Sequence, residues 1–124
     1  MKIQRTAFAI VACAVFVLSE IFAASAHTHL VRATPAVDGT VRAAPGEVTL
    51  RFNKRLESAF SSVLVRDSDG KQVDKGNAQL DKSDRRIMRV ALPPLMPGVY
   101  KVEWRAVSAD THKVEGDFTF RVGQ

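Results

Sequence analysis

Cysteine is nearly absent from this chain. The single cysteine among 124 residues, Cys13, falls inside an apolar N-terminal stretch. A disulfide within one chain is therefore excluded, and once that stretch is removed every thiolate metal centre goes with it. Methionine occurs three times, as Met1, Met88 and Met96, in no methionine-rich or Met–His run, so a soft thioether site has no support. The longest apolar run, Ala7 to Leu18, is twelve residues, well short of the roughly 20 that span a bilayer. A glycine-rich phosphate loop, a serine nucleophile elbow and a repeat of 20 to 50 residues are all missing. Basic residues such as Arg32, Arg42, Lys54, Arg55, Lys71, Lys75, Lys82, Arg85 and Arg86 are interspersed with acids, with no basic helix or aromatic platform. Nucleic-acid binding is not expected from that pattern.

The first 26 residues read as a removable secretory signal: Lys2 and Arg5, then the apolar run, then the small-x-small site Ala24-Ser25-Ala26. Lipidation at Cys13, through the loose lipobox Ile10-Val11-Ala12-Cys13, would leave too short an apolar core and an apolar mature start. Cleavage after Ala26 leaves residues 27–124 as one small domain of 98 residues, enough for a single core. Losing Lys2, Arg5 and Glu20 takes the 18 basic and 13 acidic residues to 16 and 12, a net charge of +4.

Two-residue periodicity dominates that domain. Val48-Thr49-Leu50-Arg51-Phe52 alternates; Tyr100, Val102, Trp104 and Ala106 share one face; Phe118, Phe120 and Val122 share another. Such alternation marks half-buried strands, and further strands are expected around 29–33, 62–67 and 86–92. Turn sequences separate them at Asp38-Gly39, Pro45-Gly46, Asp67 to Gly70, Pro93-Pro94 and Pro97-Gly98. Only Leu56 to Phe60 has the look of a helical turn. About seven short strands predict an all-β fold, an antiparallel sandwich or Greek-key barrel, with Trp104 and the phenylalanines in its core.

The polar donors are few and fall in two places. His27, His29 and His112 are the only histidines. As residue one of the processed chain, His27 offers its α-amine and its imidazole to the same ion. Asp110 and His112 stand at i and i+2, which in extended chain project to one side with Cα atoms about 6.5–7 Å apart. Amine, two imidazoles and a carboxylate make a tetragonal N,N,N,O set suited to Cu(II), with Ni(II) and Zn(II) as weaker competitors. Binding displaces protons from these donors, so affinity should fall with pH. Singly, each element has an ordinary reading, a turn with a surface histidine; their combination carries the metal hypothesis. His29 raises a rival mode, because a free amine, two backbone amides and the imidazole of a third residue form a peptide Cu(II) chelate. That wrap opposes strand pairing from Leu30 onward, so the folded protein should leave His29 off the metal, whereas a frayed N-terminus reverses the preference.

The run Val102-Glu103-Trp104-Arg105-Ala106-Val107-Ser108-Ala109-Asp110-Thr111-His112, followed by Gly116 and Phe118-Thr119-Phe120, closely resembles the C-terminal signature of CopC-type periplasmic copper resistance proteins. His27, Leu30-Val31 and Thr34-Pro35-Ala36 match the family's start. The resemblance covers essentially the whole of residues 27–124. It implies an immunoglobulin-like, cupredoxin-related Greek-key β-sandwich that binds one Cu(II) per chain through His27, Asp110 and His112. Two departures stand out. Ser61 to Val73 contains neither methionine nor histidine, where some members carry a Cu(I)-binding loop. Lys54 occupies the position at which some members place a glutamate near the copper.

The expected role is a periplasmic, non-enzymatic Cu(II) protein, monomeric, that sequesters copper or delivers it to an inner-membrane copper transport partner. A copper-dependent polysaccharide monooxygenase is the enzymatic alternative, since it also uses an N-terminal histidine on a β-sandwich, but no flat substrate surface is apparent. A metal-free sandwich that binds a protein partner is the third reading.

Overall fold

The computed structural model describes residues 27–110 and 112–124. The expected signal segment, Cys13 and Thr111 lie outside the described residues. Eight strands follow one another: β1 (Leu30–Thr34), β2 (Thr40–Val41), β3 (Glu47–Phe52), β4 (Ser62–Arg66), β5 (Gln79–Leu80), β6 (Ile87–Ala91), β7 (Gly98–Val107) and β8 (Lys113–Val122). They form two four-stranded sheets, ordered β1-β3-β6-β5 and β2-β8-β7-β4. The chain passes between the sheets after β1, β2, β3, β4 and β6, giving a β-sandwich. The six longer strands coincide with the alternating segments of the sequence. β2 and β5 are two residues each, too short for a period-two signal, and β2 pairs parallel to β8 through Thr40↔Arg121 and Val41↔Val122.

Alternation fills the space between the sheets. Val48, Leu50 and Phe52 of β3, with Met88 and Val90 of β6, face Val63, Val65, Tyr100, Val102, Phe118 and Phe120 of the other sheet. Removing this apolar surface from water is the main stabilising term. The Tyr100 and Phe120 rings stack with centroids 5.5 Å apart. Phe52 meets Trp104 edge to face at 5.1 Å, joining the two sheets at the end nearest the candidate donors.

Two details of the expected core need correction. Phe60 is 65% exposed, because it sits on the turn between β3 and β4 rather than on a strand. Trp104 is only partly buried at the core's margin, since its indole lies over Gly116, its register partner on β8. A Cβ on Gly116 would come within 2.7 Å of Trp104 Cε2, so the glycine makes room for the ring. The segment expected to turn helically does so once: Phe60 N–H and Ser61 N–H both donate to Glu57 O, at 3.2 and 3.1 Å. Leu56 instead bridges antiparallel to Ser108.

Candidate metal centre

β7 and β8 form a long hairpin that closes at Val107↔Lys113, so Ser108, Ala109, Asp110 and His112 lie at its tip. The segment after β3 pins that tip. Glu57 N–H donates to Val107 O at 2.7 Å, Val107 N–H donates to Ser61 Oγ at 3.1 Å, and Ser108 is buried beneath Leu56. Beyond this anchor Asp110 and His112 are exposed. The i, i+2 pair meets as the sequence predicts, with Asp110 Oδ2 3.7 Å from His112 Nδ1.

The Asp110 carboxyl is held down to about 2, from an ordinary 3.8. The Ser108 hydroxyl, which donates to Asp110 Oδ1, is the largest cause; desolvation opposes it, and Lys54 and the His112 amide reinforce it. Hydrogen bonds and a cation beside a carboxylate stabilise its charged form. The carboxylate is therefore anionic at neutral and mildly acidic pH.

Asn53 grips the N-terminal segment. β1 pairs with β3 from Leu30↔Phe52 onward, and Asn53 extends the contact beyond the ladder. Asn53 N–H donates to His29 O at 3.2 Å, Asn53 Oδ1 accepts from His29 N–H at 2.8 Å, and Asn53 Nδ2 donates to His27 O at 2.9 Å. Thr28 turns inward and is 2% exposed, which leaves His27 and His29 on the solvent side. The next residue, Lys54, reaches the hairpin tip, its Nζ 3.3 Å from Asp110 Oδ2. Thus two consecutive residues, Asn53 and Lys54, connect the His27 segment to the Asp110 carboxylate.

Among the described residues no three His, Cys, Asp or Glu side chains form a group that could hold a metal. Asp110 and His112 are brought together; His27 does not join them in such a group. In the full chain the nitrogen of His27 is acylated by Ala26 and is a far poorer donor than an amine. Sequence reasoning gave no role to Ser108 or Asn53. Ser108 lies two residues before Asp110, a spacing at which a hydroxyl reaches a carboxylate. Asn53 carried no signal, because its partners lie 24 and 26 residues away and depend on the β1–β3 register. Folding also brings Arg55, Lys82, Arg85 and Arg86, together with Ser83 and Asp84, around one depression next to Leu56.

Comparison with known proteins finds relatives that match most of the chain. Residues 30–123 match the CopC domain. Copper resistance protein C of Pseudomonas syringae pv. tomato is 34% identical over 128 residues, covering 98% of this chain and 99% of that one. The copper transport protein CutJ of Bacillus subtilis is 36% identical over 100 residues; the match takes in 80% of this chain but spans only 18% of CutJ. The crystal structure of CopC from Methylosinus trichosporium OB3b superposes with a TM-score of 0.73 at 39% identity, covering 78% of this chain and 94% of that one.

Proposed function

The chain belongs to the CopC family, and from that premise we propose that it is an exported, periplasmic Cu(II)-binding protein holding one ion through His27, Asp110 and His112. The observation that carries the reading is the hairpin tip: Asp110 and His112 stand 3.7 Å apart with the carboxylate held anionic by Ser108 and Lys54. A carboxylate oxygen that stays charged well below neutral pH, beside an imidazole, is half of a tetragonal N,O set. His27 supplies the remaining two nitrogens once cleavage after Ala26 frees its amine, so processing completes the ligand set. Asn53 holds the His27 carbonyl, and the next residue, Lys54, reaches the Asp110 carboxylate.

Bound there, copper is cargo. Donors at the surface support a role in sequestration or in delivery to an inner-membrane copper transport protein. The family of copper resistance proteins, rather than the polysaccharide monooxygenases, is where the sequence and the fold both fall. No covalent step is assigned to this chain.

The test is a Cu(II) titration followed by EPR, on protein exported from the full chain and confirmed by N-terminal sequencing to begin at His27. A second copy carries one extra glycine before His27. Sharply weaker binding and a changed spectrum in the glycine copy support the terminal amine as a ligand. Identical behaviour of the two copies rules the amine out.

A further inference from the structure

Residues 27–29 carry two mutually exclusive ways of holding copper. One uses the His27 amine and imidazole together with the hairpin tip. The other wraps His27-Thr28-His29 around the ion through the amine, the Thr28 and His29 amide nitrogens and the His29 imidazole. The second mode needs only a free N-terminal tripeptide, so something in the fold has to decide against it. We propose that Asn53 sets the binding mode: by gripping the His27 carbonyl and the His29 amide it bars the tripeptide wrap and keeps Cu(II) on the brace. The inference rests on the reading of His27 as a copper ligand given above.

The geometry supports this in three steps. The wrap requires copper to replace the His29 amide hydrogen, yet that N–H is donated to Asn53 Oδ1 at 2.8 Å. Stripping the hydrogen would set an anionic nitrogen against a carbonyl oxygen. The wrap also requires the Thr28 amide nitrogen to turn toward the ion. A peptide unit is planar, so fixing His27 O on Asn53 Nδ2 at 2.9 Å fixes the direction of the Thr28 N–H as well. Finally, turning this segment would draw the Thr28 side chain, 2% exposed, out of its pocket. Asn53 is suited to the task because its amide carries a donor and an acceptor at once. An aspartate would lose the donor and a serine would lack the second atom. The Asn53 N–H bond to His29 O, at 3.2 Å, holds the clamp in register with the β1–β3 ladder.

The experiment compares Cu(II) spectra, visible and EPR, of the exported protein beginning at His27, its N53A, H29A and N53A/H29A forms, and the free peptide His-Thr-His-Leu. Four in-plane nitrogens, two of them amide anions, give the peptide a d–d band at distinctly shorter wavelength than an N,N,N,O set. We expect the wild-type spectrum to differ from the peptide's and to be unaffected by H29A. N53A should shift to the peptide's spectrum, and N53A/H29A should lose that shift. An N53A spectrum matching the wild type, or a wild-type spectrum already matching the peptide, overturns the proposal.

A measurement on the copper-free wild type needs no variant. The His29 amide should exchange with solvent at least about tenfold more slowly than in the peptide, and exchange at the peptide's rate overturns the clamp. His112→Ala separates the two levels of argument. If it leaves the wild-type copper spectrum unchanged, the proposed ligand set fails whatever Asn53 does. If it changes the spectrum while N53A does not, the clamp alone fails.

Discussion

Lys54 Nζ stands 3.3 Å from Asp110 Oδ2, so the carboxylate proposed to bind copper already carries a cation. Copper and ammonium compete for the same oxygen, and a positive charge a few ångströms from a divalent ion opposes its binding. Lys54→Met should therefore raise Cu(II) affinity by about three- to tenfold at low salt, measured by competition with a chelator of known strength. The gain should shrink near 1 M salt, where the screening length is about 3 Å. The pair is partly exposed, so the urea midpoint should move little. A fall in affinity would mean that Lys54 orients Asp110 more than it competes.

Asp110 gives a pH prediction with a definite sign. Its folded value, about 2, lies below the ordinary 3.8. The stability it contributes is fully present above 3.8 and is lost as pH falls toward 2. Ser108 is the first cause of the shift, so Ser108→Ala should move the Asp110 midpoint up toward 3.8, read from its carboxyl carbon by NMR. Acid release of copper above about pH 4 is then the work of the nitrogen donors, which bind only when deprotonated. An Asp110 midpoint unmoved in Ser108→Ala would show that the hydroxyl does not hold the charge.

Gly116→Ala tests the packing under the site. The added methyl meets the Trp104 indole, 2.7 Å from Cε2, and Trp104 rests edge-on against Phe52. Phe52 immediately precedes Asn53 and Lys54, so a displaced indole disturbs the strand end that serves the candidate centre. Overpacking of this kind costs about 1–3 kcal/mol. Urea unfolding followed by Trp104 fluorescence should show the loss. Copper affinity should drop as well, whereas Gly46→Ala, where nothing lies within 4 Å of the new methyl, should be close to neutral for binding.

What could be read from the sequence follows from which forces are local. The side-chain alternation of β3, β7 and β8 is a property of adjacent residues, and so is the convergence of Asp110 on His112. Hydrophobicity alone points Phe60 into the core, because it says nothing about whether a residue lies on a strand or on the turn between two strands. Trp104 sits at the margin because Gly116 faces it across the hairpin, a pairing set by register. The clamp of Asn53 on residues 27–29 depends on how β1 docks beside β3, and the Lys54–Asp110 contact spans 56 residues. The donors are thus written locally, whereas the groups that restrain them are assembled by topology.

Thr28 shows the cost of that restraint. Its side chain is buried at 2% exposure, and its Oγ1 has no hydrogen-bond partner among the described residues. A buried hydroxyl left without a partner is unfavourable, and here it accompanies an inward turn of Thr28 that leaves His27 and His29 facing outward. Thr28→Val keeps the branched shape and removes the orphaned oxygen, so it should stabilise the protein by about 1 kcal/mol. Thr28→Ala also removes the oxygen but leaves a gap, and should be less stable than Thr28→Val. Urea unfolding of the three proteins settles the order. With the anchor intact, the Cu(II) EPR spectrum of Thr28→Val should match the wild type. A destabilised Thr28→Val would mean instead that the hydroxyl is satisfied, most simply by a bound water, and that the N-terminal anchor is polar rather than a matter of packing.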